Sequence, residues 1–496
     1  MNLGLTLLAA AERHGEGEAL VDGETRISYA ALHERAARLA GGLSERGLER
    51  GGRLAVLLRN HHRTVELYWA TQWLGARFVP LNFRLSPDEV RYCVTDAQAS
   101  VVLFEDASAR AAQACADDVR GLVDVGEEFD RLLESDPVTG ALDLDEDEAS
   151  LMLYTSGTTG RPKGVPRSHR ADRAGGLSQA IHHGYSLGDR ALGVMPLYHT
   201  MGAHTMIAMA LIDGCFVAMP EWDAGAALEL IAAERISSLY LAPTLFRGLL
   251  DAGADQADLS SVECLGYAGS PMAPELVRRC AEAFAPRVFF NHYGSTEHYT
   301  WSIDRNQRAK PGCAGRPAIN TRLRLVEPVA DAAPDALVEP GQEGQLISAL
   351  GSDEAFRGYW NRPDADEGAI RDGWYYPGDL ARLDEDGDLW VVGRMDDMII
   401  SGGENIQPTE VEDVLGEHPA VQEVAVIGVR DERWGQRVVA FVVGEQATER
   451  ELDDHCRGSD RLAAFKRPRE YHFVSELPRS SSGKLLRRAL REEIES

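Results

Sequence analysis

Tyr154-Thr155-Ser156-Gly157-Thr158-Thr159-Gly160-Arg161-Pro162-Lys163-Gly164 crowds hydroxyls, glycines and one lysine into a single short turn. Gly157, Gly160 and Gly164 let backbone N–H groups face an anion with no Cβ in the way, while Thr155, Ser156, Thr158 and Thr159 offer hydroxyl donors to phosphate oxygens. Lys163 adds a point charge. The order differs from the common nucleotide loop, in which lysine follows the second glycine directly; here Arg161 and Pro162 intervene. A Gly/Thr-rich turn is by itself more often a plain loop than a phosphate cradle.

The rest of the chain sets the bounds. Its 496 residues exceed what one hydrophobic core supports, so at least two domains are expected. A formal net charge of -28 argues against nucleic-acid or anionic-membrane partners, so an enzyme handling ATP must concentrate cations locally. They gather near the C-terminus, from Arg461 to Arg491, where the simplest reading of the stretch Arg487 to Arg491 is a solvated helix face. Seven scattered cysteines without metal-type spacing fit a reducing cytoplasm. The apolar stretch Leu3 to Ala11 lacks a basic leader and reads as a helix start, and no apolar run is long enough to span a bilayer.

Helical stretches such as Tyr29 to Arg46 and Ala226 to Glu234 alternate with short apolar runs, among them Arg53 to Leu58, Ser100 to Phe104, Ser237 to Ala242 and Arg287 to Asn291. That alternation predicts an α/β fold, with mostly parallel sheet covered by helices. From about Gly344 the pattern changes to strands separated by Gly, Pro and Asp turns (Gly344 to Ala349, Gly387 to Val392, Arg437 to Val443), predicting a β-rich subdomain and then a small α+β domain. We place a large N-terminal domain at 1–393, a hinge at 394–396 and a mobile C-terminal domain at 397–496. Ala330 to Gly341 reads as a surface loop.

The positions from Thr155 to Gly164 resemble the signature loop of the adenylate-forming superfamily, which includes acyl-CoA synthetases, luciferases and peptide-synthetase adenylation domains. Further segments match in the expected order over nearly the whole chain. In Asn291-His292-Tyr293-Gly294-Ser295-Thr296-Glu297 the resemblance implies an adenine platform at Asn291 and Tyr293, an α-phosphate contact at Thr296, and a magnesium ligand at Glu297. In Trp374 to Asp379 it makes Asp379 the acceptor of both ribose hydroxyls, since a carboxylate offers two oxygens to a vicinal diol. Across Gly393 to Asn405 it implies ribose contact by Arg394, a pivot at Asp396, and a passage for a thiol arm beside Gly402 and Gly403. In Pro478 to Lys484 it makes Lys484 the adenylation lysine, a cation for the carboxylate and the bridging oxygens; no covalent Ser or Cys intermediate is implied.

The C-terminal part is most similar to chlorobenzoate/benzoate-type CoA ligases, across Gly393 to Glu410, Asp431 to Gln436 and Ala464 to Pro468. That resemblance puts Arg84, Trp434, Phe465 and Arg467 on the nucleotide end of coenzyme A, the aromatics around adenine and the arginines on phosphates. It also implies that His199, Thr200, Met201, Tyr240, Ala268, His292, Gly294, Tyr299 and Thr300 line the acyl site, with His199 as a gate at the carboxylate. The related ligases carry more apolar residues at His292, Tyr240 and Tyr299, so an aromatic acid bearing a hydroxyl is one reading. Pairing of these polar atoms with one another around a plain aryl or medium-chain acid is the other.

The resemblance implies an ATP-, magnesium- and CoA-dependent acid–thiol ligase that releases AMP and pyrophosphate, acting on a small carboxylic acid in the cytoplasm, with a homodimer open as its assembly. The alternatives are an adenylation enzyme that loads a carrier protein, a medium-chain or alicyclic acyl-CoA synthetase, and a non-catalytic nucleotide-binding relative. The last is disfavoured because Lys163, Glu297, Asp379 and Lys484 are all present.

Overall fold

The computed structural model describes residues 1–140, 143–155, 161–401, 404–431, 433–444, 447–459, 461–479 and 485–495. The chain divides into two compact units, one formed by Met1–Leu323 with Ser348–Tyr375, the other by Arg324–Ile347 with Tyr376–Ser496. This division follows packing; the proposed pivot at 394–396 concerns motion and is taken up below. Among the described residues no helix is long and apolar enough to cross a membrane.

The first unit holds two sheets. In one, the strands Glu18–Asp22, Cys215–Ala218, Arg190–Gly193, Ser238–Leu241, Cys264–Tyr267 and Val288–Tyr293 lie side by side in parallel, with antiparallel strands added at both edges. In the other, Gly121–Asp124, Val101–Phe104, Arg53–Leu57, Arg77–Pro80 and Ala149–Thr155 are parallel, and Lys163–Ser168 closes the edge antiparallel. Runs such as Val101–Phe104, Cys215–Ala218, Ser238–Leu241 and Cys264–Tyr267 are buried throughout, as central parallel strands must be when helices cover both faces.

Strand order decides where a ligand can enter. After Arg190–Gly193 the chain moves to one side, to Cys215–Ala218, and then returns to the other side, to Ser238–Leu241. The connections diverge at this point and leave a crevice at the carboxyl ends of the strands. Met195 to His199, Tyr240 and Ala268 lie on or just after those ends. Tyr240, Gly266 and Phe290 share one cross-strand row, and a Cβ at Gly266 would stand 1.9 Å from the Phe290 ring, so glycine is what gives that ring its place.

In the second unit the strand Asp379–Leu383 runs antiparallel to Leu389–Arg394 and to the strand Gly344–Ala349. A further sheet is built on the long hairpin Glu423–Asp431 and Gly435–Val443, with Glu470–Phe473 parallel to its second strand. Helices Pro408–Gly416 and Glu449–Gly458 cover one face around Ile399, Val411, Val426 and Leu452, and Leu490 of the helix Arg487–Glu495 joins the core of the other.

The solvated helix face expected at Arg487 to Arg491 is corrected here. Arg487 Nη2 lies 2.7 Å from both carboxylate oxygens of Glu412, and Arg487 and Arg491 both face Asp397, at 3.5 and 3.4 Å. Glu412 Oε1 also accepts from Val426 N at 2.7 Å, so the ion pair ties a helix, a strand and the last helix together. An arginine that bridges both oxygens of a largely sequestered carboxylate, the two side chains keeping only 17% and 14% of their exposure, is not a solvated residue. Replacing it strands a charge, so Arg487→Met should destabilise this unit by about 3 kcal/mol in urea denaturation, whereas Arg488→Met, on the exposed face, should change stability by less than about 0.5 kcal/mol.

Candidate active site

In the first unit, strand pairing fixes both ends of the glycine-rich turn. Thr155 sits directly across from Lys163 at the end of an antiparallel pair; Ser156, Gly157, Thr158 and Thr159 lie outside the described residues. The Lys163 ammonium stands over the Tyr359 ring, 4.0 Å from its centroid. Burial pulls the Lys163 pKa below its ordinary value, and the nearby Glu297 charge opposes that shift. Glu297 is buried, and its Oε1 accepts the Tyr359 hydroxyl at 2.7 Å. A buried anionic oxygen donor of this kind suits a hard cation such as magnesium.

Glu297 follows the strand Val288–Tyr293, whose end carries several expected residues. Asn291 Nδ2 donates to the Cys313 carbonyl at 2.9 Å, and Tyr293 lies edge-on to Trp301 at 5.8 Å. Gly294 has a steric reason: a Cβ there would sit 1.7 Å from the Tyr299 carbonyl oxygen. The Thr296 carbonyl accepts from Arg167 Nη1 at 2.9 Å.

That arginine is wholly buried. Its Nε donates to Asp172 Oδ1 at 2.6 Å; Ser150 Oγ donates to the other oxygen at 2.8 Å, and His204 Nε2 lies 3.3 Å from Oδ1. Burial alone would raise the Asp172 carboxyl, but Arg167 and then His204 overcome it and hold the pKa at about 2. The His204 ring stacks on Tyr299 with centroids 3.8 Å apart, and a Cβ at Gly175 would come within 2.7 Å of that imidazole.

Beside it runs a closed circuit of hydrogen bonds. The Tyr299 hydroxyl donates to Gln179 Oε1 at 2.6 Å, and Gln179 Nε2 reaches the Tyr185 hydroxyl at 3.2 Å. That hydroxyl is 3.2 Å from His183 Nδ1, His183 Nε2 is 3.0 Å from His292 Nδ1, and His292 Nε2 returns to the Tyr299 carbonyl at 3.2 Å. The carbonyl only accepts, so His292 is protonated on Nε2, His183 on Nε2, and Tyr185 donates to His183. Burial keeps both imidazoles neutral, that of His292 with a pKa of about 3. His292 and Tyr299 are thus satisfied within the protein. Among the described residues His199 Nε2 and Thr300 Oγ1 are buried without a hydrogen-bond partner, the buried Tyr240 hydroxyl faces that of Tyr299, and burial lowers the His199 pKa to about 4. Met201, Tyr240 and Ala268 share one apolar cluster, and Thr200 opens the helix that His199 precedes.

In the second unit Arg394 Nη1 donates to Asp379 Oδ1 at 2.9 Å, so the two expected ribose residues meet. Asp396 is exposed in a short 3-10 turn, Met395–Asp397. Gly402, Gly403 and Lys484 lie outside the described residues. Trp434 and Phe465 are 46% and 43% exposed, which removes core packing as their reason, while Arg467 is paired with Asp453. Arg84, in the first unit, is exposed with its guanidinium over Phe83.

Sequence reasoning missed Tyr359, Arg167, Asp172, Gln179, His183 and His204. A signal was present in the helix His169–His183, where Asp172, Gln179 and His183 recur at spacings of seven and four, a buried stripe that an ordinary core would fill with aliphatics.

The AMP-binding enzyme model matches residues 7–360, and the AMP-binding enzyme C-terminal domain model matches residues 410–484. The chain is 35% identical over 489 residues to a feruloyl-CoA synthase of Amycolatopsis sp, covering 97% of this chain and 95% of the relative. Its structure is similar to that of an anthranilate CoA ligase in complex with anthranoyl-AMP, with a TM-score of 0.92 at 26% identity over 99% and 97% of the two chains. It is also similar to the o-succinylbenzoate coenzyme A synthetase of Bacillus subtilis in complex with ATP and magnesium ion, with a TM-score of 0.87 at 28% identity over 99% of each.

Asp172 predicts an acid-dependent stability. A carboxyl whose folded pKa is depressed to about 2 stabilises the fold above the unfolded value of about 3.9 and loses that contribution as pH falls through the folded value. The stability gap between wild type and Asp172→Asn should therefore be widest above about pH 5 and shrink steadily toward pH 2, read by denaturant titrations at each pH. A gap independent of pH would remove the ion pair as its source.

Proposed function

The chain belongs to the AMP-binding enzyme family, and we propose that it activates an aromatic carboxylic acid as the acyl adenylate and passes the acyl group to coenzyme A. It is an AMP-forming acid–CoA ligase that uses ATP, magnesium and coenzyme A. In the first half-reaction a carboxylate oxygen attacks the α-phosphorus and the bond to pyrophosphate breaks; in the second the thiol sulfur attacks the acyl carbonyl and AMP leaves. Neither step needs a nucleophile from the protein; the barrier lies in bringing anions together and holding the charge that spreads.

The observation that carries the ATP half is the meeting of Lys163 and Glu297 on Tyr359, beside the strand end that begins the glycine-rich turn. Lys163 and the turn, Thr155 to Thr159, take the triphosphate, Asn291 and Tyr293 the adenine, Thr296 the α-phosphate, and the Asp379–Arg394 pair the ribose. Magnesium, held by Glu297, would neutralise charge on the departing pyrophosphate. Lys484 supplies the cation for adenylation. Arg84, Trp434, Phe465 and Arg467 take the CoA nucleotide; two large aromatics left in solvent favour a nucleotide-bearing acceptor over a carrier protein. The rotating body is 397–496 and its pivot Asp396. We place the enzyme in the cytoplasm, where seven free thiols persist unpaired; assembly as a homodimer rests on the mass read by light scattering.

For the acid, Met201, Tyr240 and Ala268 offer an apolar wall, and the family resemblance assigns the carboxylate end to His199. With His292 and Tyr299 engaged in the circuit, the Tyr240 hydroxyl, which faces that of Tyr299, is the donor that turns to a ring substituent when the acid binds, in keeping with an aromatic acid such as a hydroxycinnamate.

Acyl-CoA formation across plain benzoates, hydroxybenzoates, cinnamates and medium-chain acids tests this, with Lys484→Ala as the inactive control. Hydroxylated aromatic acids should have the highest kcat/KM, and Tyr240→Phe should cut their advantage over the unsubstituted ring by about tenfold. An aliphatic winner would overturn the aromatic reading, and AMP release without thioester would point to a carrier protein. A second test concerns the pivot. Asp396→Pro should spare pyrophosphate–ATP exchange and depress thioester formation at least tenfold, whereas equal loss in both would refute the rotation.

A further inference from the structure

Residues 356–360, Phe-Arg-Gly-Tyr-Trp, form a short segment that joins two parts of the active site. At one end Phe356 N donates to the Glu297 carbonyl at 2.7 Å; at the other Trp360 N donates to the Gly164 carbonyl at 2.8 Å. Trp360 Nε1 further anchors the segment on the Asp96 carbonyl at 2.8 Å, and Tyr359 N on Asp366 Oδ1 at 2.8 Å. The segment therefore spans from the turn that carries Glu297 to the strand that carries Lys163, and it is bonded to both through the backbone.

Tyr359 stands in the middle of that span and is nearly fully buried. Phe356 and Tyr375 pack edge to face against each other, and Phe356 packs in the same way on Tyr359, so the ring has one orientation. One face of the ring lies under the Lys163 ammonium at 4.0 Å, and the hydroxyl donates to Glu297 at 2.7 Å. A lysine and a glutamate that feel each other's charge across one ring would otherwise tend to close into an ion pair, and each would then be lost to the phosphates and to the metal.

We propose that Tyr359 is a positioning residue that keeps Lys163 and Glu297 apart and aimed, its ring holding the ammonium and its hydroxyl occupying one carboxylate oxygen so that the other is left for magnesium. The proposal rests on the assignment of Lys163 to phosphate and Glu297 to magnesium, and goes beyond it by giving the two ends of one side chain separable effects. Removing the hydroxyl affects the metal side; removing the ring affects the phosphate side as well.

Calorimetric binding of α,β-methylene-ATP, with excess magnesium and with EDTA, separates these effects without turnover. Tyr359→Phe keeps the ring and its packing, so its affinity in EDTA should stay within about twofold of wild type while the gain conferred by magnesium falls about tenfold. Tyr359→Leu should weaken binding about fivefold even in EDTA. Glu297→Gln and Lys163→Met are run beside them. If both controls lose affinity as assigned but Tyr359→Phe keeps the full magnesium gain, the positioning role is overturned and the assignment stands. If Glu297→Gln itself keeps the gain, the metal assignment falls and the proposal falls with it. Melting temperatures verify that each variant is folded, and should Tyr359→Leu not fold, the Tyr359→Phe comparison decides alone.

Discussion

The buried ion pair between Arg167 and Asp172 is the constraint on which the first unit's site depends. Both side chains are removed from water, where charges survive only if every donor and acceptor finds a partner. Meeting that demand uses Ser150 on one strand, the Ala171 carbonyl on the following helix, the Thr296 carbonyl in the turn before Glu297, and His204 on a second helix. Such a pair adds little net stability compared with an apolar core of the same shape. Its effect is positional, because each of these elements has only one place in which the charges are satisfied, and the Thr296–Glu297 turn inherits that place.

The hydrogen-bond circuit that starts and ends at Tyr299 does for the acyl side what the ion pair does for the phosphate side. Polar rings lie at the carboxyl ends of parallel strands, where the strand order opens a crevice, and an unsatisfied imidazole there would admit water. Burial keeps His183 and His292 neutral, and the circuit occupies their ring nitrogens, so that they present aromatic ring faces. Polarity is then reduced to a few atoms such as the Tyr240 hydroxyl, and sparse donors of that kind are what a selective pocket for a flat, mostly apolar acid needs.

Much of this was legible from the chain. The alternation of helices and short apolar runs placed the parallel strands within a residue or two, because a strand buried on both faces has to be apolar throughout. Thr155, Lys163, Tyr240, Ala268 and His292 lie at or next to strand ends, where topology opens a crevice. What could not be read was partnership. Asp172, Gln179 and His183 look in sequence like the polar side of an exposed helix, and only the packed structure shows that side facing inward, where Gly175 leaves room for an imidazole. Arg487 failed in this way, since an arginine near a chain end looks solvated and is clamped, whereas Trp434 and Phe465, placed by the resemblance on a ligand, stand in solvent. Spacing along the chain reports periodicity well and says little about which of two polar faces is buried.

The cysteines carry a consequence for the chemistry. An acyl adenylate is a reactive acylating agent, and a thiolate on the enzyme would compete with coenzyme A for it. All seven thiols are free and buried. Burial pushes Cys93, Cys215, Cys264 and Cys280 up to about 12 and raises Cys115 and Cys456 as well, which keeps them in the unreactive thiol form. The protein thus withholds its own sulfur from a reaction whose second step is sulfur attack. Chemoselectivity is secured here by burial of the thiols, and self-acylation is suppressed before any binding site has to discriminate.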